Sequence, residues 1–116
     1  MSIRRRGHGH AAQRAVLLAA MAVTAARARA ADAVADAEAL AIVHKHCVMC
    51  HAVKPTHEAF QEAPNGVVLE TVAELKKYSA LIYAQTIQNK AMPMGNQTGM
   101  TEVERAALGR WLKASP

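Results

Sequence analysis

The chain has 116 residues, of which 52% are hydrophobic and only 3% aromatic, with 14 Lys and Arg against 9 Asp and Glu. That length allows one small domain. Six of the 14 basic residues (Arg4, Arg5, Arg6, Arg14, Arg27, Arg29) fall in the first 30 positions, so eight basic and nine acidic residues remain, and no basic nucleic-acid surface is expected.

Residues 1–30 read as a cleavable secretory signal. The arginines supply a positive start, residues 15–26 an apolar stretch, and "ARA" at 28–30 a small-residue cleavage site after Ala30. Twelve apolar residues are too few to span about 30 Å of hydrocarbon, although a retained N-terminal anchor is the alternative. The arginine triplet lacks the rest of a twin-arginine signal. The general secretory route and a periplasmic location are therefore expected.

Residues 31–116 form the domain. With one Trp, two Tyr and one Phe, its core is marginal unaided. Its two cysteines, Cys47 and Cys50, are too close together to staple distant segments. A large apolar cofactor at the centre would supply the missing core.

No strand-like alternation appears, and the expected fold class is all-α. A first helix over 36–47 has Asp36 as N-cap and Ala39, Ile42, Val43 and His46 on one face. A long loop follows, punctuated by Pro55, Pro64 and Asn65-Gly66. A second helical stretch, 71–90, loses its apolar phase near Ser79. The loop 91–100 contains Pro93, Gly95 and Gly99. Thr101 and Glu104 form a capping box for a last helix over 102–114. That helix puts Val103, Ala107, Leu108, Trp111 and Leu112 on one side. The two terminal helices should pack together, with small Ala39 permitting close approach.

The chemistry centres on "HCVMCHAVKPT", residues 46–56. Cysteines three apart on a helical turn point the same way. Their sulfurs can meet the two vinyl groups along one edge of a haem, with His51 beneath the iron. Three other readings compete. A thioredoxin-like redox pair needs a βαβ context that is missing. Zinc needs a fourth ligand beyond Cys47, Cys50 and His51, and His44, His46 and His57 are near. A plain disulfide would close a ring too small to stabilise much.

A haem held by His51 needs a second axial ligand or keeps an open site. A thioether opposite His raises the haem potential and closes the site for electron transfer. Met92 is the first candidate: Pro93 stiffens the chain behind it and small Ala91 leaves room before it. Met94 and Met100 are the alternatives. Met49 lies inside the attachment motif. His44 and His46 would have to fold over the ring edge, and His57 follows His51 too closely. Pro55 either lies under the ring, with a nearby carbonyl accepting the His51 N–H, or simply turns the loop. Val67, Val68, Leu69, Leu75, Ile82, Ile87 and Trp111 are expected in the pocket or core.

These motifs resemble a class I cytochrome c. "HCVMCHAVKPT", "APNGVVLET" and "MPMGNQTGMTEVERAALGRWL" are most similar to the C-terminal cytochrome c domain of PuuD-type membrane-bound urate hydroxylases, over roughly residues 38–114. The resemblance implies a small cytochrome c fold around one covalently bound haem c, with the Met before Pro as axial ligand. The relatives carry a multi-helix membrane region before this domain, where this chain shows a signal-like segment. The expected function is that of an exported monohaem electron carrier rather than an enzyme. It would be monomeric and meet redox partner proteins, among them a membrane oxidoreductase, with a urate-oxidising one as a candidate. The rivals are an open-site haem sensor or peroxidase-like protein, a cytochrome subunit docked on a membrane oxidoreductase, and a non-haem metal module.

Overall fold

Helix α1 spans Asp36–His46 and buries Ala39, Ile42, Val43 and His46, the apolar face expected from their spacing. Its cap differs from expectation. Ala35 is the N-cap, in extended backbone with no side-chain cap bond, and Asp36 is the first helical residue. The Asp36 carboxylate is engaged elsewhere: it accepts the Trp111 indole N–H at 2.8 Å and lies 3.6 Å from Lys76 Nζ. It still sits at the positive end of the helix dipole.

The computed structural model describes Val23, Thr24 and residues 32–115. Apart from Val23 and Thr24, the signal segment 1–30 lies outside the described residues. The chain divides into two units, Met1–Ala33 and Val34–Pro116, and every element named here belongs to the second. Among the described residues there is no strand, so the fold is all-α. No helix among them is long and apolar enough to cross a membrane.

The stretch expected as one interrupted helix is three pieces. Helix α2, Val72–Lys77, starts at a second capping box: Glu74 N–H donates to Thr71 Oγ1 at 3.2 Å, and Thr71 N–H donates to Glu74 Oε2 at 2.9 Å. Tyr78 interrupts the helix at φ −103°, ψ 16°. Helix α3, Ser79–Ile82, then runs into a widened π-helical segment, Tyr83–Gln88. Helix α4, Glu102–Ala114, begins at the Thr101/Glu104 capping box.

α1 packs against α4, and α4 also contacts α3 and the π-helical segment. Ala39, Val43 and Leu108 have no exposed surface and lie in this core, as does Leu75 of α2. Full burial of a Val or Leu side chain contributes about 1.5–3 kcal/mol. Gly109 faces Ile87: a Cβ at Gly109 would lie 3.4 Å from the Ile87 side chain, in ordinary contact. Val103 does not join the core and is 79% exposed. The buried face of α4 instead takes in Arg105.

Candidate functional site

Cys47 ends α1, where its N–H donates to Val43 O at 2.8 Å. The chain then closes one tight turn on the Cys47 carbonyl, which accepts from Cys50 N–H at 3.1 Å and from His51 N–H at 2.9 Å. Both sulfurs and the imidazole are thereby carried by a single turn.

His51 is held at two further points. Leu69 N–H donates to His51 O at 2.9 Å, and His51 Nδ1 donates to Val67 O at 2.8 Å. A carbonyl can only accept, so the ring proton sits on Nδ1 and the neutral ring keeps its lone pair on Nε2. The sequence leaves the identity of the accepting carbonyl open. It belongs to Val67 because the turn at Pro64–Gly66 sends residues 67–69 back beside His51. Asn65 and Gly66 make that turn with φ of 55° and 68°.

Two cavities, of about 270 and 310 Å³, adjoin this turn. Cys47, His51, Pro64, Asn65 and Met92 line both, so the cavities share a wall. Cys50 and Met94 line the first only, and Leu69, Ile82 and Thr86 line the second. Met92 is half-buried, and Met94 is 51% exposed. Met100 is buried in the hydrophobic core and lines neither cavity. Of the expected pocket residues, Leu69, Leu75, Ile82 and Trp111 are buried, and Val67, Val68 and Ile87 are half-buried.

Cys47 and Cys50 are free thiols. Burial, with the neighbouring Cys50 as second cause, pushes the Cys47 thiol up to about 12. Burial also raises Cys50. Both stay protonated, the opposite of a reactive thiolate. Among the described residues, no group of three or more His, Cys, Asp or Glu side chains could hold a metal ion. The histidines weighed as extra zinc ligands have other partners. His44 Nε2 lies 2.7 Å from Glu70 O, and the His57 ring packs on Phe60 at 5.5 Å.

His46 is buried, and both ring nitrogens are occupied. Nε2 donates to Glu104 Oε2 at 3.0 Å, and Nδ1 lies 2.8 Å from Thr98 Oγ1. Glu104 also receives Lys45 Nζ at 2.7 Å and Thr101 N–H at 2.9 Å. The hydrogen bond from Lys45, then that from the Thr101 backbone, bring the Glu104 carboxyl down to about 2. This network ties the loop after Met92 to α1 and α4.

On its other side the loop is tied by Arg105, which is 6% exposed. Its Nη1 donates to Met92 O at 3.1 Å and also to Thr86 O. Met92 N–H donates to Gln85 O at 3.0 Å. Sequence reasoning missed both ties, though each left a signal. His46 stands in phase with Ala39, Ile42 and Val43. Arg105 stands three and seven residues before Leu108 and Leu112 on the buried face. A charged or titratable residue on an apolar stripe needs buried partners.

No protein-family model matches the chain, and neither a curated protein nor a solved structure matches it.

Proposed function

We propose that the chain is an exported single-haem electron carrier with a class I cytochrome c fold. The observation that carries this reading is that His51 and Met92 both line the two adjoining cavities, with Cys47 lining the same walls. The residues present fit the group on further counts. The His51 proton is committed to Val67 O, which leaves Nε2 as a donor to a metal. Met92 offers a soft thioether. The thiols of Cys47 and Cys50 are free and carried on one turn. Leu69 and Ile82 give the second cavity an apolar wall.

Cys47 and Cys50 would hold the haem through thioethers, and His51 and Met92 would hold its iron. When bound, it supplies a one-electron Fe(III)/Fe(II) couple. The chain fixes the imidazole through Val67 and Leu69, keeps the thioether loop in place, and shields the site with Leu69, Ile82 and Thr86. With His51 and Met92 both on the iron, no position would be open for a substrate, which favours electron transfer over catalysis. The donors and acceptors would be redox proteins met in the periplasm, among them a membrane oxidoreductase. A urate-oxidising enzyme is one candidate, through the sequence resemblance alone.

Absorption spectra of the purified exported protein test this reading. A c-type band in the reduced form is expected, with a weak sulfur–iron band in the oxidised form. Met92→Ala should abolish the sulfur–iron band while Met94→Ala keeps it. Ready binding of carbon monoxide by the reduced wild-type protein would overturn the closed-site reading in favour of an open one.

A further inference from the structure

Arg105 brings a guanidinium into the protein on the buried face of α4. A buried charge is costly unless its hydrogens are used. Nη1 has two hydrogens and two acceptors, Met92 O at 3.1 Å and Thr86 O. Nε has no hydrogen-bond partner and lies 3.7 Å from Glu102 Oε1. That carboxylate is in turn held by Lys90 Nζ, 3.2 Å from each oxygen, at the start of the same loop.

Residue 92 is thus gripped at both ends of its backbone. Its N–H goes to Gln85 O, and its C=O takes Arg105. Gln85 and Thr86 lie in the last four residues of the π-helical segment Tyr83–Gln88, where helical carbonyls run out of intrahelical donors. The Met92 N–H and the Arg105 guanidinium fill those places, and a cation at a helix C-terminus is favoured by the dipole.

We infer that Arg105 is a positioning residue that clamps the Met92 backbone against the π-helical segment and so sets how often the Met92 sulfur leaves the iron. This rests on the reading of Met92 as the distal ligand. Without the clamp, the Met92 backbone keeps its bond to Gln85 O but loses the tie at its carbonyl, and the detached state gains population.

The test uses the full haem-loaded protein. Imidazole is the probe, because it can bind the iron only when the sulfur has left. In Arg105→Gln the apparent imidazole affinity should rise about 10- to 100-fold, the worth of a charge-assisted hydrogen bond. Arg105→Lys, which keeps the charge but not the fork, should fall between the two. Leu112→Ala destabilises the same helix two turns beyond Arg105, leaves the Arg105 guanidinium in place, and should leave the affinity near that of wild type. Hydrogen exchange of the Met92 amide should be faster in Arg105→Gln than in Leu112→Ala. Imidazole affinity and exchange in both Arg105 variants no different from Leu112→Ala would overturn the clamp. If wild type binds imidazole as readily as Met92→Ala, the ligand assignment fails instead, and the exchange comparison still decides the clamp.

Discussion

The turn that carries His51 and the loop that carries Met92 differ in what holds the backbone of the residue they present. Residues 47–51 close on one carbonyl, that of Cys47, through bonds three and four residues long. The Met92 loop also closes locally, with Asn96, Gln97 and Gly99 N–H on Pro93, Met94 and Asn96 O, but the backbone of Met92 itself is held by Gln85 and Arg105. The loop is fastened by Arg105, 13 residues on, and by His46, 52 residues before Thr98. A site made this way has one side whose backbone turn is closed by local sequence. The other side is only as firm as the side chains that reach it from α1 and α4. The side that depends on distant ties is the one where ligand exchange should occur.

Breaking the local side should have the larger effect. Cys47→Ser combined with Cys50→Ser should abolish covalent haem, read as loss of haem staining on a denaturing gel. Met92→Ala, on the distant side, should keep that staining. It should lose the sulfur–iron band and gain carbon monoxide binding. Equal loss of covalent haem in the two variants would erase the contrast.

Two smaller effects sharpen it. Glu104 joins α1 to α4 through His46 and Lys45. Its carboxyl lies near 2 when folded, against an ordinary 4.5. The unfolded chain therefore takes up this proton first on acidification. The stabilisation is full above about pH 4.5 and is lost as pH falls toward about 2. Glu104→Gln keeps a side chain suited to a capping box but has no charge to lose. Its unfolding midpoint should fall less steeply across that window than that of wild type. Gly66, at φ 68°, turns the chain so that Val67 reaches His51. There is open space around a Cβ at this position, so Gly66→Ala should cost only the left-handed backbone penalty, about 1 kcal/mol in urea unfolding.

The same contrast governs what could be read from the sequence. The last helix and its cap, and the break near Ser79, follow from residue type and spacing. So does the candidate site turn, since C-x-x-C-H needs only its own backbone. Asp36 looked like a cap because Asp before an apolar run is one. Only the fold brings Trp111 across to claim its carboxylate. Val103 fitted the apolar stripe by type, while Arg105 holds the buried position by virtue of two carbonyls from elsewhere. The carbonyl for His51 comes from Val67, a pairing set by a loop whose path no periodicity encodes.

The most direct test of the central claim is the proton NMR spectrum of the reduced, haem-loaded protein. A methionine methyl held against the haem face is shifted far upfield by the ring current. One such resonance is expected in wild type, Met94→Ala and Met100→Ala, and none in Met92→Ala. Its survival in Met92→Ala, or its absence from wild type, would contradict a haem held between His51 and Met92.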